Sequence, residues 1–179
     1  YPDLGYNPYS GVTIDFEGLA GSTNQANFTA FLQALSRQLQ AKNLRLAVAV
    51  MPATADGAYY NGYDYRAIGD LADKVILMAH DYQPSKLTGY TGTTYYKNAA
   101  LTPFQSVYDS LRVATDPNTG VQDTSKLALA ISSAANAWQV DANGKLVSET
   151  PTFPTASTLL TRMKGGATMG WSDTYRNPY

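Results

Sequence analysis

The chain has 179 residues, 44% hydrophobic and 15% charged, with 13 basic and 14 acidic residues for a formal net charge of -1. This is long enough to bury a real core and too apolar for a disordered segment. The balanced charge, with no long run of one sign, excludes the electrostatic footprint of a nucleic-acid or anionic-membrane binder, and the lack of cysteine excludes disulfides, thiol catalysis and Cys-based zinc.

In chain order, residues 1–10 are rich in Pro, Gly and Tyr and read as loop. Gly11 to Phe16 is a short strand candidate that runs into acidic residues. A small, polar stretch comes after it. From Asn27 to Ala41, the apolar positions Phe28, Phe31, Leu32, Leu35 and Leu39 recur on one face of an amphipathic helix. Asn43 is a stop signal for it. Leu44 to Met51 is a second strand, and its near-continuous apolar character predicts burial on both faces, as in a parallel sheet. Residues 53–63 read as a Gly/Tyr-rich loop, and Tyr65 to Leu71 as a short helix.

Lys74 to Ala79 is the third strand, with His80, Asp81 and Tyr82 at its C-terminal end. About twenty residues of loop come next, long enough to be a functional loop. Thr102 as N-cap and Pro103 at the first helical position open the next helix, whose apolar side is Phe104, Val107, Leu111 and Val113. Lys126 to Ile131 is the fourth strand. After it comes a hairpin turning at Asn143-Gly144. Thr155 to Lys164 is a last helix, with Leu159, Leu160 and Met163 expected inward. The tail reads as irregular or extended. The alternation of buried strands and helices indicates α/β organisation, with no clear domain break.

A single histidine makes a multi-His metal site impossible, and no metal or organic cofactor is implied. The longest apolar stretches are too short to span a bilayer. The first residue is Tyr1 rather than Met, as expected of a processed product or a fragment that has lost a leader. The 14 tyrosines and 2 tryptophans suit either a carbohydrate-binding surface or plain packing, and composition does not choose between them.

The sharpest feature is Gly11-Val12-Thr13-Ile14-Asp15-Phe16-Glu17. Side chains two apart on a strand share a face, so Thr13, Asp15 and Glu17 point one way. Two adjacent carboxylates resist ionising together, which favours one protonated general acid. Ordinary surface acids at a strand end are the open alternative.

GVTIDFE resembles the signature of glycoside hydrolase family 18, the chitinase-type family, written DGxDxDxE. The resemblance implies a (β/α)8 TIM barrel with this motif on its fourth strand. It implies Glu17 as catalytic acid/base and Asp15 as the residue orienting the substrate's N-acetyl group, whose carbonyl oxygen attacks the anomeric carbon. Ser10 and Thr13 stand where the family usually has Asp, and a polar uncharged middle residue is similar to the spore-cortex and cell-wall-lytic branch. Residues 75–83 resemble the family's sixth-strand Met-x-Tyr-Asp motif: Met78 and Asp81 match, and His80 replaces the tyrosine. His80 either donates the equivalent hydrogen bond or is a satisfied strand-end histidine. Tyr82 lines the cleft in this reading. Trp138 is either a sugar platform or a packing residue.

Residues 44–53 are similar to the fifth strand and 126–138 to the seventh. The chain, residues 1–179, is therefore expected to hold strands 4 to 7 of a partial catalytic barrel, completed by missing sequence or another chain. A full barrel typically takes about 250 residues. The implied activity is hydrolysis of β-1,4 bonds in N-acetylglucosamine glycans, peptidoglycan ahead of chitin, outside the cell at the wall or spore surface. The alternative is a non-catalytic, lectin-like glycan binder. The implied partner is an oligosaccharide or polysaccharide.

Overall fold

The computed structural model describes residues 9–53, 61–82, 85–174 and 176–179. Residues 1–8 of the expected first loop, and residues 54–60 of the second, lie outside the described residues.

Four strands form one sheet in sequence order, all parallel: β1 (Gly11–Asp15), β2 (Arg45–Val50), β3 (Lys74–Met78) and β4 (Leu127–Ala130). The register pairs Asp15 with Ala49 and Met78 with Ala130. Helix α1 (Ser22–Gln40) joins β1 to β2, and α2 (Tyr65–Leu71) joins β2 to β3. Helix α3 (Phe104–Ala114) lies between β3 and β4 in the chain, and α4 (Ala156–Lys164) comes after β4. Among the described residues no helix is long and apolar enough to cross a membrane.

The chain divides into two compact units. One comprises residues 1–78 and 109–130, the other 79–108 and 131–179. The sequence shows no break because each unit is discontinuous. The second unit is built from the segments after β3 and after β4, with no linker composition to mark the passage.

The first unit's core lies on β2 and β3. Leu46, Val48 and Val50 on β2, Val75 and Leu77 on β3, Leu32 on α1 and Ile68 on α2 are all buried. Burial of each such side chain contributes about 1.5–3 kcal/mol. This bears out the two-sided burial read from residues 44–51. The buried Ser36 hydroxyl donates to the Leu71 carbonyl at 3.1 Å, tying α1 to the end of α2. Asn43 takes the left-handed φ of 56° that ends α1, as its position predicted.

Helix α1 starts five residues before the expected Asn27. The stretch 22–26 has no apolar periodicity. Its helical form is supported by Asn61, which accepts from the Gly21 N–H, and by Gln25, which donates to the Asn61 carbonyl at 3.1 Å.

The second unit is organised around Leu87, Ala99 and Leu146, with Tyr95, Tyr96 and Trp138 packed against them. The expected hairpin is present: Val140 bridges Leu146, and Gly144 turns the chain at φ 70°. The long loop after β3 contains a 3-10 turn at Tyr95–Asn98. Two expectations are corrected. Leu160 and Met163 of α4 are 58% and 60% exposed and Leu159 is only half-buried, because no described element covers that side. Helix α3 begins at Phe104, expected on its apolar side but 58% exposed, and the Thr102 hydroxyl before it donates to the Ser132 carbonyl at 3.4 Å. The tail, read as irregular or extended, holds a small antiparallel ladder, β5 (Trp171–Ser172) with β6 (Asn177–Pro178).

Candidate active site

In a parallel sheet with crossover helices, the loops after the strands gather at one end, where such folds place their chemistry. Each sequence motif stands at such a strand end. Asp15 is the last residue of β1, and Glu17 lies two residues beyond it. Met78 is the last residue of β3, and His80, Asp81 and Tyr82 come just after it.

Thr13, Asp15 and Glu17 are all exposed. Neither carboxylate forms a side-chain hydrogen bond or ion pair with a described residue, and Thr13 does not bond Asp15. Phe16, between the two acids, turns its ring onto α1, with centroids 5.7 Å from Phe28 and 5.6 Å from Phe31. Aromatic pairs at such spacing contribute roughly 0.5–1.5 kcal/mol beyond their buried area. The aromatic anchor thus fixes the backbone on which both carboxylates stand.

A second anchor comes from the loop after β2. The buried Tyr63 donates its hydroxyl to the Phe16 carbonyl at 2.6 Å, and its ring meets Phe28 edge-on at 5.9 Å. A Cβ on Gly62 would meet the Leu19 carbonyl carbon at 2.4 Å, so only glycine lets the two loops approach this closely. Tyr65 holds the end of β2 by donating to the Met51 carbonyl at 2.6 Å and accepting from the Ala53 N–H at 2.9 Å. These two tyrosines escaped the sequence reading. Tyr63 closes the loop between β2 and α2 and Tyr65 opens α2, and nothing local in the sequence marks their backbone partners.

Met78 is buried, whereas His80 is partly exposed. The His80 Nδ1 lies 3.0 Å from the Asp81 Oδ2. Asp81 adopts φ 58°, a left-handed backbone that Asp tolerates better than most residues. The Tyr82 N–H donates to the Leu101 carbonyl at 3.2 Å. Trp138 packs its half-buried ring on the Leu87, Ala99 and Leu146 cluster, which favours the packing role. No group of three or more His, Cys, Asp or Glu among the described residues has the arrangement to hold a metal.

The family model of glycosyl hydrolases family 18 matches residues 4–179. The chain belongs to glycosyl hydrolases family 18. Its parallel sheet and helices are those of that family's TIM-barrel-like α/β fold. A protein named as a sporulation-specific glycosylase, YdhD of Bacillus subtilis (strain 168), is 40% identical over 75 residues, covering 41% of this chain and 18% of that protein. The cortical fragment-lytic enzyme of the same organism is 28% identical over 101 residues, 55% of this chain and 22% of that enzyme. In fold, the chain resembles the crystal structure of YdhD with a TM-score of 0.71 at 23% identity, covering 99% of this chain and 55% of that one. A chitinase from Chromobacterium violaceum ATCC 12472 gives 0.70 at 22% identity, with 94% and 48% covered. The chain therefore spans about half the length of these solved structures.

Proposed function

We infer that the protein containing this chain hydrolyses β-1,4 glycosidic bonds in N-acetylglucosamine-containing glycans, with retention of configuration and assistance from the substrate's own acetamido group. Glu17 protonates the glycosidic oxygen and later activates water. Asp15 orients the acetamido group so that its carbonyl oxygen attacks the anomeric carbon, the route in which the sugar supplies the nucleophile. His80 and Asp81 take the place of the family's Tyr-Asp pair on the substrate, with Thr13, Met78 and Tyr82 shaping the surroundings. The observation that carries the reading is the family's acidic pair, present and exposed at the C-terminal end of a parallel strand. The relatives named for sporulation and for cortical fragments favour peptidoglycan over chitin, and a site of action at the wall or spore surface.

In the same reading β1 to β4 are the fourth to seventh barrel strands. Two features support this. Strands β1 and β4 are the two edges of the sheet, and Val12 and Leu129 upon them are 37% and 42% exposed. An open parallel edge is a liability that closure of a barrel removes. The other strands would come from sequence outside these residues or from another chain.

A second reading, a glycan-binding relative without turnover, is favoured by Thr13 and His80, the two departures from the family pattern. Hydrolysis of peptidoglycan strands and chito-oligosaccharides by the full-length protein, beside its Glu17→Gln variant, separates the two. The enzyme reading expects a loss of at least about a hundredfold, the scale of a general acid. Binding without turnover in both proteins would establish the second reading instead.

A further inference from the structure

The long loop after β3 carries an aromatic pair that lies outside the motif at residues 75–83. The Tyr90 and Tyr95 rings stack nearly parallel, with centroids 3.9 Å apart and planes 13° from each other. Tyr95 in turn packs against Leu87, Ala99 and Leu146, the core of the second unit. The layers therefore run from buried aliphatic side chains through Tyr95 to Tyr90, which is 38% exposed. With one face covered by Tyr95, Tyr90 shows solvent its other face and its edge. The loop that presents this ring is well tied. The Glu149 Oε1 accepts from the Gly89 N–H at 2.8 Å and from the Thr91 hydroxyl at 3.3 Å, and these two residues flank Tyr90. The Tyr90 N–H donates to the Leu87 carbonyl at 3.1 Å, and the Tyr90 carbonyl accepts from the Thr93 hydroxyl at 2.7 Å. Glu149 keeps its second oxygen without a hydrogen-bond partner among the described residues, although an ionised carboxylate has about four acceptor positions.

We propose that Tyr90, backed by Tyr95 and flanked by Glu149, is a sugar-stacking site: the C–H face of a pyranose ring lies on the open face of Tyr90, and a hydroxyl at its edge donates to the second Glu149 oxygen. The ligand class is an uncharged stretch of oligosaccharide. An aromatic face takes apolar C–H surface, an acceptor-only carboxylate takes hydroxyl donors, and a pyranose ring offers both on adjoining sides. An anionic ligand is repelled by Glu149. A purely apolar partner would take water from that carboxylate and give it no donor in return. The site goes beyond the glycosidase reading, which assigns nothing to these residues, and shares with it only the class of ligand. The bonds that hold the loop are made by the backbone of Tyr90 and by its neighbours, so substitution of the Tyr90 side chain leaves them in place.

The experiment uses the full-length protein carrying Glu17→Gln, so that binding is measured without turnover, and titrates it calorimetrically with fully N-acetylated chitohexaose. Adding Tyr90→Ala should weaken binding roughly tenfold, as expected for loss of an aromatic contact and its buried area. Tyr90→Phe keeps the ring and should keep the affinity. Tyr90→Leu is apolar but has no ring face, and should bind as weakly as Tyr90→Ala. Glu149→Gln still accepts from Gly89 and Thr91 but turns an amide donor toward the sugar, and should lose roughly fivefold. Parent affinity in Tyr90→Leu, or binding by Tyr90→Phe as weak as that of Tyr90→Ala, would overturn the proposal. Turnover by the protein with Glu17 intact, together with binding indifferent to Tyr90, would remove this site and leave the glycosidase reading. Binding that depends on Tyr90, with no turnover of any glycan, would do the reverse. Absence of saccharide binding in all of these proteins would remove both.

Discussion

The Tyr63 hydroxyl donates to the Phe16 carbonyl at 2.6 Å, across 47 positions of sequence. That carbonyl belongs to the peptide leading directly into Glu17. The bond is from a buried ring to backbone, so it acts on the path of the chain and not on the carboxylate itself. Tyr63→Phe should therefore leave the ring packing on Phe28 intact and release only the carbonyl. We expect kcat of the full-length protein to fall several-fold with KM little changed. The stability cost should be about 1 kcal/mol, that of one hydrogen bond. Steady-state kinetics and a denaturant titration check both. A change confined to KM would show that Tyr63 serves binding and not the placement of Glu17.

Asp15 closes β1 in register with Ala49, exposed and without a side-chain partner among the described residues. Its proposed partner is the substrate. Asp15→Asn keeps the shape but loses the charge that orients and polarises the acetamido group. Turnover of N-acetylated substrates should drop by about a hundredfold or more, as for loss of a proton-transfer partner. Stability should be unchanged within about 0.5 kcal/mol, the usual range for a surface substitution. Activity at the level of the parent protein would remove Asp15 from the mechanism.

The sheet interior supplies a control of the opposite kind. Leu77 on β3 is fully buried between neighbouring strands. Leu77→Ala removes three carbons from a packed site and should cost about 2–5 kcal/mol. That is a large share of the roughly 5–15 kcal/mol that ordinary domains possess. Urea unfolding should show a lower midpoint with an unchanged slope. Because Leu77 immediately precedes Met78, a folded variant should also lose some activity, but less than Asp15→Asn.

Asp116 gives a pH dependence whose sign is fixed. The N–H groups of Asn118 and Thr119, at 2.8 and 3.0 Å, hold its carboxyl below the ordinary aspartate range, with help from the Thr119 hydroxyl and the Arg66 charge. A carboxyl depressed by folding adds stability above its unfolded value, and that stability is lost as pH falls through the folded value. Asp116→Ala should thus lower Tm at neutral pH. The gap from the parent protein should begin to shrink as pH falls below about 4, the ordinary aspartate value, and close only at the lower pH where the depressed carboxyl of the folded parent is itself protonated. Thermal scans across acid pH test this. A gap that persists in strong acid would assign the loss to helix or loop geometry and not to charge.

The elements most accessible to sequence reading were those with an internal period or a local stop signal. The runs that became β2 and β3, the helix Tyr65–Leu71 and the turn at Gly144 all carry their signal within a few residues. The start of α1 did not, because its first turn depends on Asn61, forty positions away. The outward face of α4 could not be foreseen either, since apolar spacing marks a face without saying whether anything covers it. The carboxylates and the His80–Asp81 pair were visible as residue types in a motif. The hold of Asp81 on Nδ1 was not, because neighbouring residues normally point apart and only the left-handed backbone of Asp81 accompanies their meeting. Tyr63 was hidden for the same reason as the start of α1: its partner is distant in sequence.

The two open edges of the sheet yield the last prediction. Val12 on β1 is 37% exposed and Leu129 on β4 is 42% exposed, although both are apolar residues on short parallel strands. If these are the fourth and seventh strands of a closed barrel, further strands cover them in the full-length protein. Val12→Asp and Leu129→Asp should then behave as core substitutions there. Burying an unpaired charge at such a position should cost about 3 kcal/mol or more, well above the roughly 0.5 kcal/mol of a surface change. Denaturant titration of the full-length variants decides the matter. Values near zero at both positions would mean that the edges stay open and that β1 to β4 are not the middle of a barrel. A large cost at one edge alone would identify which side the remaining strands close.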